Sequence, residues 1–456
     1  MAQLGHWQTT AEEIDPPDLA SEPAIPCLVV IFSSGKPACE PIRIGPQPIT
    51  IGRAKGDGVY VIDDDRASRL HTQVTLCPEG VRVTDLDSRN GTFVDGERVR
   101  DQVFPALPRL LRVGHTLLRF APRVDPFIGA RVQRVNGAVV GPILQESRQK
   151  IARAAATGGS VLLTGPSGSG KELAAQVFHS VTGRSGPFIA VNCAAIPAGL
   201  AERLLFGARR GAYSGADADA DGYVQAADGG TLFLDEIAEL DPSVQPKLLR
   251  VLESREVLAL GASRARPINI RFCGATMKDL RAEVAAGRFR EDLYFRIGRP
   301  EVRLPGLVER LEELPWLACD ELERADARLA PSALLLEACV LRSWPGNVRE
   351  LLLELGQAAR VALDAGRTVV EAKDLSPSAG QAISVEPHIS TTSILSREVI
   401  EAALRREQGN VTGAARSLGI HRNQLRRWIA SHGVPPAPGE PTPDKTDPED
   451  SPDKTR

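Results

Sequence analysis

The stretch GPSGSGKE comprises Gly165, Pro166, Ser167, Gly168, Ser169, Gly170, Lys171 and Glu172. An apolar run at 161–164 precedes it and predicts a buried strand, whereas residues 173–178 have the apolar spacing of a helix. A strand leading through a glycine-rich loop into a helix directs several backbone N–H groups at one point, and the helix dipole adds to the attraction for an anion. The pattern therefore predicts a nucleotide phosphate site, with Lys171 at the β- and γ-phosphates. The alternative is a chance glycine-rich turn, and Glu172 is unusual because most such loops have Ser or Thr there to hold Mg²⁺.

A second apolar run, 229–234, ends in the two carboxylates Asp235 and Glu236. Alone, such a pair could be a solvated strand end. After a phosphate loop, we expect Asp235 to bind Mg²⁺ through water and Glu236 to polarise an attacking water molecule. The pair predicts an enzyme that hydrolyses a nucleoside triphosphate, ATP in particular.

Composition and charge restrict the class of protein. The 456 residues suggest about three domains. The formal net charge is only −3, so a nucleic-acid surface would have to be local. We find no signal peptide and no apolar run of the ~18 residues that span a membrane. The seven cysteines contain no C-x-x-C pair, which favours buried thiols in a reducing compartment and a cytoplasmic location.

The chain is expected to be multidomain, with an all-β sandwich, an α/β P-loop domain with a helical lid, and an all-α domain. The expected boundaries are a flexible N-terminus at 1–24, the β module at 25–121, a linker at 122–140, the α/β domain with its lid at 141–375, a second linker at 376–393, the helical domain at 394–433, and a disordered tail at 434–456.

The central motifs together resemble the AAA+ ATPase domain of bacterial enhancer-binding proteins, the activators of sigma-54 RNA polymerase. The resemblance covers roughly residues 140–370. Besides the phosphate loop and the Asp-Glu pair, the matching phrases are Asn192 at the end of 188–192, FREDLYFR at 289–296, WPGNVREL at 344–351, and the sigma-factor loop Gly211, Ala212, Tyr213, Ser214, Gly215 and Ala216.

The resemblance implies roles for these residues. In the family, the residue matching Asn192 switches the catalytic glutamate. Arg290 and Arg296 match paired arginine fingers that reach the γ-phosphate of a neighbouring subunit, and Arg349 matches a lid arginine that holds the same phosphate. Fingers acting between subunits require a homo-oligomer, from a dimer up to a hexameric ring.

Three departures from the family's pattern concern coupling to the sigma factor. Tyr213 and Ser214 replace Phe and Thr in the loop but keep an aromatic ring and a hydroxyl. At the base of the loop, Ala208 and Arg209 replace His and Glu, which reverses the charge. Met277 replaces the asparagine of the sensor I motif and cannot make an amide's hydrogen bonds. ATP binding is expected to survive these changes, whereas the coupling is put in question.

Residues 25–121 resemble a forkhead-associated (FHA) domain, an eleven-stranded sandwich that binds phosphothreonine peptides. The matching phrases are IGR at 51–53, SRLH at 68–71 and NGT at 90–92. The resemblance assigns the phosphate to Arg53 and Ser68, a further contact to Arg69, and the peptide backbone to Asn90. We interpret His71 as a structural hydrogen-bonding residue.

Residues 396–433 contain seven arginines and three glutamates, a local net charge of +4 (7 − 3) with His neutral. Two short helical segments joined at Gly419 resemble the Fis-type helix-turn-helix domain. Arg422, Asn423 and Arg426 are expected to contact base edges, and Arg427 a phosphate. The alternative is a helical hairpin with a solvated basic face.

These resemblances imply a cytoplasmic, sigma-54-dependent transcriptional activator that binds upstream DNA, with ATP and Mg²⁺ as cofactors. Its signal would be a phosphothreonine protein linked to a Ser/Thr kinase. An FHA-bearing DNA-binding regulator whose ATPase only controls assembly is the alternative, and a phosphopeptide scaffold is disfavoured by Lys171, Asp235 and Glu236. Whether the phosphopeptide activates the ring or releases an inhibition stays open, as do the target genes.

Overall fold

The computed structural model describes residues 25–212, 217–382, 397–407 and 410–417, and the single residues 425 and 429. The chain divides into two compact units, Met1–Ala382 and Ile383–Arg456. The first contains the β sandwich and the α/β domain with its lid, and the described residues of the second form helices, so the predicted fold classes are confirmed. Among the described residues, none of the helices combines the length and the apolar character needed to cross a membrane.

Two sheets form the N-terminal sandwich. Their orders are β2-β1-β11-β10-β7-β8 and β4-β3-β5-β6-β9. The strands are β1 (Cys27–Ser33), β2 (Lys36–Arg43), β3 (Ile49–Gly52), β4 (Val59–Val61), β5 (Thr72–Cys77), β6 (Gly80–Asp85), β7 (Thr92–Val94), β8 (Glu97–Val99), β9 (Asp101–Phe104), β10 (Leu110–Val113) and β11 (Thr116–Ala121).

Strand β1 is buried on both faces. Leu28 and Val30 belong to the core between the two sheets. Val29 and Ile31, which point the opposite way because side chains alternate along a strand, belong to a core shared with the helical lid. The sandwich is therefore docked on the helical lid by the outer face of one sheet.

Residues 122–140, expected to be a linker, contain regular structure. A 3₁₀ helix at Asp125–Phe127 is followed by a hairpin of β12 (Gln133–Val135) and β13 (Ala138–Val140). Phe127 and Val139 are buried in the core shared with the lid, because this segment crosses between the two domains.

The α/β domain contains a five-stranded parallel sheet of order β15-β16-β19-β14-β20. Its strands are β14 (Val161–Thr164), β15 (Phe188–Asn192), β16 (Thr231–Asp235), β19 (Arg271–Thr276) and β20 (Glu301–Arg303), and a small hairpin consists of β17 (Glu256–Val257) and β18 (Arg266–Pro267). Its helices are α1 (Pro142–Ala156), α2 (Lys171–Val181), α3 (Ala201–Phe206), α4 (Tyr223–Ala226), α5 (Gln245–Ser254), α6 (Leu280–Ala285) and α7 (Glu291–Ile297). Because the strands are parallel, their carboxyl ends lie along one edge of the sheet.

The lid is a helical subdomain on a large apolar core that includes Trp344. It consists of α8 (Leu314–Ala325), α9 (Ala333–Leu341) and α10 (Asn347–Asp364), with a short parallel pair of β21 (Ala330–Pro331) and β22 (Val369–Val370). Ser332 caps α9 by accepting a hydrogen bond from the Leu335 N–H.

The second unit contains α11 (Arg397–Arg406) and α12 (Val411–Ser417). Ile400 and Leu404 of α11 pack with Ala414 of α12 and with Leu425 in a small apolar core. Helical spacing of these apolar residues accounts for the pairing of the two helices.

Candidate functional site

A cavity of about 570 Å³ lies at the carboxyl edge of the parallel sheet. Its walls come from the loop between β14 and α2, from the ends of β15 and β16, from the β12–β13 hairpin and from the lid. The polar residues that line it include Ser169, Lys171, Asn192, Asp235, Glu236 and Arg349. Four sequence segments predicted separately to serve one nucleotide thus meet at one place.

The glycines of the phosphate loop have conformations or surroundings that exclude other residues. Gly165, Gly168 and Gly170 have φ of 152°, 70° and 97°. A Cβ on Gly168 would lie 2.1 Å from the carbonyl oxygen of Gly346, which starts the first turn of α10. The backbone of the loop can therefore curl in front of α2 and directly beneath the lid.

Lys171, at the first position of α2, is 7 % exposed. Its Nζ donates to the carbonyls of Gly165 (3.2 Å) and Pro166 (3.4 Å) and lies 3.8 Å from Glu236 Oε1. The buried Ser169 Oγ has no hydrogen-bond partner among the described residues. A buried ammonium, an orphaned hydroxyl and a helix N-terminus at one point fit the phosphates of a nucleotide. Glu172, by contrast, is exposed on the first turn of α2.

Asp235 and Glu236 lie at the end of β16, where the parallel register pairs Asp235 with Asn192 of β15. The Asp235 Oδ1 accepts a hydrogen bond from the Glu236 N–H (3.0 Å). An Asp carboxylate at the edge of a phosphate site is a ligand type that Mg²⁺ accepts, so the residues fit this ion. Glu236 has a φ of 50°, which turns the chain sharply after the strand.

Glu236 is held by contacts that the sequence did not indicate. Its Oε2 accepts a hydrogen bond from the backbone N–H of Met277 (3.4 Å), after β19. The Oδ1 of Asn192, whose matching residue in the family switches this glutamate, accepts from the Ala194 N–H (2.9 Å) and caps a 3₁₀ turn. The Met277 side chain is 59 % exposed, so the backbone supplies the contact at sensor I.

The lid is tied to the phosphate loop by two residues outside the predicted site. Asn347 Nδ2 donates to the Ser167 carbonyl (2.9 Å), and its Oδ1 accepts from the Leu307 N–H (2.8 Å). Arg310 donates to the Ser169 carbonyl (2.8 Å). The WPGNVREL phrase contains Asn347 and could have indicated its role. Arg310 lies in no recognised phrase, so the sequence did not indicate its role. The exposed Arg349 lines the cavity two residues beyond Asn347.

Arg290 precedes α7 and Arg296 lies in its last turn, and neither is among the residues that line this cavity. Arg290 forms a two-point contact with Asp292 (3.0 and 2.7 Å), and both side chains are about half exposed. Arg296 donates to the Leu252 carbonyl (2.8 Å). Within one chain, these arginines lie away from the phosphate loop that Lys171 occupies.

Backbone bridges and an ion pair hold the two sides of the base of the predicted sigma-factor loop together. Ala208 forms backbone bridges with Ala220 and Leu260. Arg209 forms an ion pair with Asp219, whose carboxylate also accepts from the Arg210 N–H (2.8 Å). These hydrogen bonds and the Arg209 charge hold the pKa of Asp219 below its usual value. Asp219 thus neutralises the reversed charge at Arg209. Gly211 and Ala212 begin the loop, and the remaining loop residues Tyr213, Ser214, Gly215 and Ala216 lie outside the described residues.

The predicted phosphopeptide residues lie on neighbouring loops at one end of the sandwich. The Arg53 N–H donates to the Ser68 carbonyl (3.1 Å), and the Ser68 Oγ accepts from the Arg89 N–H (3.1 Å). Asn90 donates to the Arg66 carbonyl (2.6 Å). The side chains of Arg53 and Arg69 are exposed. Two guanidinium groups and a hydroxyl in this arrangement suit a phosphate.

His71 is fully buried and fixes these loops. Its Nδ1 accepts from the Ser68 N–H (2.9 Å), so its Nε2 carries the proton and donates to the Gly91 carbonyl (3.1 Å). Burial lowers the pKa of His71, which favours this neutral form. The contacts agree with the structural role expected for it.

The predicted DNA-contacting residues Arg422, Asn423, Arg426 and Arg427 lie outside the described residues.

Comparisons with known proteins agree with all three domains. The model of the sigma-54 interaction domain matches residues 139–303, that of the FHA domain 49–117, and that of bacterial regulatory proteins of the Fis family 393–430. The transcriptional regulatory protein ZraR of Salmonella typhimurium is 38% identical over 312 residues, which cover 65% of this chain and 70% of ZraR. The chain belongs to the family of sigma-54-dependent transcriptional regulators.

Other members of the family match a similar share of this regulator. Escherichia coli GlrR is 40% identical over 279 residues, 60% of this chain and 62% of GlrR, so the matched region spans under two thirds of that relative. A crystal structure of NtrX from Brucella abortus in complex with ATP is 29% identical, with a TM-score of 0.48, and covers 66% of this chain and 70% of NtrX.

Proposed function

We propose that this regulator activates transcription by hydrolysing ATP in an oligomeric ring that remodels the sigma-54 polymerase closed complex. The observation that carries the proposal is the meeting of Lys171, Asp235 and Glu236 beside the orphaned Ser169 hydroxyl. A structural pocket would satisfy its buried polar groups internally, whereas here they converge on a cavity large enough for a nucleotide.

Each residue has a chemical task in hydrolysis. The backbone N–H groups of the phosphate loop and the Lys171 ammonium bind the triphosphate. Asp235 would hold Mg²⁺, which supplies positive charge at the phosphates. Glu236, aimed by the Met277 N–H, accepts a proton from the attacking water. Arg349 contacts the nucleotide from the lid.

The positions of Arg290 and Arg296 support assembly. Both lie outside the cavity of their own chain. They can therefore complete a site only by reaching the γ-phosphate of the nucleotide bound to a neighbouring subunit. A ring in which each interface carries one site is the arrangement that serves every subunit.

The N-terminal and C-terminal domains are assigned to phosphopeptide binding and to DNA binding, respectively. We propose that the FHA domain binds a phosphothreonine protein, the product of a Ser/Thr kinase, through Arg53, Ser68, Arg69 and Asn90, in the cytoplasm. Arg422, Asn423, Arg426 and Arg427 are assigned to upstream DNA. If deletion of residues 394–456 left site-specific binding intact, the DNA assignment would be wrong.

Open-complex formation with purified sigma-54 polymerase, promoter DNA and ATP tests the proposal. The full chain should open the promoter with ATP, and a Lys171→Ala variant, which lacks the phosphate-binding ammonium, should not. Absence of opening by a chain that hydrolyses ATP would refute remodelling but leave the nucleotide site in place.

A second function is favoured by Met277 and by the altered base of the sigma-factor loop. In it, the regulator binds DNA and phosphopeptide, and ATP only controls assembly. ATP-dependent assembly on DNA without promoter opening, in the same experiment, would select this function.

A further inference from the structure

The outer face of one FHA sheet is sealed against the lid. Strands β1, β10 and β11 contact the 3₁₀ helix at Leu311–Glu313 and helix α9. Val29 and Leu117 share an apolar core with Leu336 and Cys339 of α9, all without exposed surface. This degree of burial holds the sandwich in one position on the lid, because the apolar side chains of the two surfaces pack in one core.

Two buried ion pairs cross this apolar interface. Arg119 of β11 pairs with Glu312, and their side chains are 7 % and 0 % exposed. Arg112 of β10 pairs with Glu337 of α9 at 2.8 Å and stacks over the Phe93 ring at 3.9 Å. Buried charges require counter-charges, so the pairing specifies which face of the sandwich meets the lid.

The Arg119–Glu312 pair continues to the phosphate loop. Glu312 is followed by the buried Glu313, which pairs with Arg310 at 3.1 Å and accepts from the Gly141 N–H at 2.6 Å. Arg310, 3 % exposed, donates to the Ser169 carbonyl at 2.8 Å. One turn of chain thus connects an FHA arginine with the loop that binds phosphates.

Glu312 has its paired positive charge only when the FHA domain is docked. Glu312 and Glu313 are adjacent buried carboxylates, and the two guanidinium groups paired with them are Arg119 and Arg310. Without Arg119, the buried Glu312 lacks its paired guanidinium, and its attraction for the neighbouring Arg310 competes with the hydrogen bond from Arg310 to the Ser169 carbonyl.

We infer that Arg310 is a positioning residue for the phosphate loop and that Arg119 of the FHA domain keeps it in place, so that docking of the FHA domain sets the affinity for nucleotide. The inference rests on the proposed nucleotide site and extends it, because the FHA domain becomes part of the ATPase rather than a tethered receptor. Arg119 is not among the residues that line the cavity, so the effect passes through Glu312, Glu313 and Arg310.

The test measures binding of a fluorescent, non-hydrolysable ATP analogue to the full chain. Arg119→Leu should weaken binding about ten-fold, within the range of couplings between separate sites. The matched control is Arg82→Leu, which removes an exposed arginine paired with Asp101 on the other sheet and should leave affinity unchanged. For hydrolysis, the KM for ATP should rise while kcat at saturation changes little.

A double variant separates charge balance from packing. Arg119→Leu with Glu312→Gln removes both charges of the pair and should return the affinity to within about three-fold of the parent, because no unpaired Glu312 carboxylate then competes for Arg310. Arg119→Lys, which keeps the charge, should also bind more tightly than Arg119→Leu. It serves as the second variant if Arg119→Leu fails to fold by circular dichroism.

The outcomes are distinct. Equal affinity of the parent and Arg119→Leu, or no recovery in the double variant, would overturn the inference while the nucleotide site stands. A parent chain that binds the analogue no better than Lys171→Ala would instead overturn the proposed function.

Discussion

In the nucleotide cavity the groups proposed to bind phosphate are buried and fixed, whereas those proposed around Arg53 are exposed side chains on loops. Lys171 is 7 % exposed, and Ser169 is 2 % exposed. Arg53 and Arg69 are both exposed, and the hydrogen bonds at their positions are made by the backbone. One chain therefore contains a preorganised anion site and an adaptable one.

The difference sets how much a single side chain should matter. A preorganised group loses little conformational entropy when the ligand binds, so most of its interaction energy appears as affinity or rate. An exposed arginine must first be ordered, which offsets part of its gain. Substitutions around the ATP site should thus have larger effects than those in the FHA site.

The arginine fingers test whether the exposure of a side chain in a single subunit predicts how strongly its substitution affects activity. Arg290→Ala and Arg296→Ala should retain ATP binding but lower kcat about 10³-fold or more, because the exposed fingers become part of a buried site when subunits assemble. Steady-state ATPase assays on assembled rings, with nucleotide binding measured in parallel, check this.

Mixed rings provide the control. Combining Arg290→Ala with Lys171→Ala creates some sites with an intact finger and an intact phosphate loop, so part of the activity should return. Mixed rings that stay inactive would contradict fingers acting between subunits.

Glu236→Gln sharpens the comparison within the cavity. Gln keeps the volume but cannot take the proton of water, so kcat should fall about 10²- to 10⁴-fold while ATP affinity is kept. Glu239→Gln is the matched control, since Glu239 pairs with Lys278 at 2.6 Å outside the phosphate cavity. This variant should hydrolyse ATP at the rate of the parent. Comparable turnover by Glu236→Gln and the parent would show that Glu236 is not the base.

Arg53→Ala probes the adaptable site. Loss of one charged hydrogen bond should weaken a phosphothreonine peptide about 10- to 100-fold, with little change for the unphosphorylated peptide. Calorimetry on the full chain, with Arg82→Ala as the control, measures both. Equal binding of the two peptides by the parent would remove the phosphothreonine assignment altogether.

The domain classes were predictable because each depends on local patterns. The GPSGSGKE phrase predicted a strand, a loop and a helix, and β14 and α2 flank that loop as expected. The docking of the FHA domain was not predicted, since it depends on contacts between distant segments. One local signal existed: CLVVIF at 27–32 is apolar at every position, and a strand with one solvated face would alternate.

The candidate site shows the same limit. Lys171, Asp235 and Glu236 were brought together as their phrases implied, because a parallel sheet collects its strand ends at one edge. The contact between Met277 and Glu236 was not predicted, since a backbone N–H donates the hydrogen bond and its position does not depend on the type of side chain. Arg310 was missed because a lone arginine has no distinguishing neighbours in the sequence.

The smallest effect on activity is expected from Glu313→Gln, whose consequence lies in the pH dependence of stability. Burial raises the pKa of Glu313 to about 7, against the opposing charge of Arg310 and the hydrogen bond from Gly141. Arg148 adds a favourable charge from α1, and Glu312 adds an unfavourable one. The folded state therefore holds a proton that the unfolded state releases near its ordinary pKa of 4.5.

Because the folded state binds more protons between these two values, the free energy of unfolding should fall as pH rises from about 4.5 to about 7 and level off above it. Gln cannot titrate and keeps an oxygen that accepts from Gly141 and Arg310, so Glu313→Gln should remove this part of the slope. The difference should not exceed about 4 kcal/mol, since one pKa unit corresponds to ~1.4 kcal/mol and the pKa rises from 4.5 to about 7. Urea unfolding of the full chain across this pH range measures it, with the exposed Glu253→Gln of α5 as the control. A slope for Glu313→Gln equal to that of the parent would mean that Glu313 is ionised throughout, and that the carboxylates beside Arg310 are both charged when the lid holds the phosphate loop.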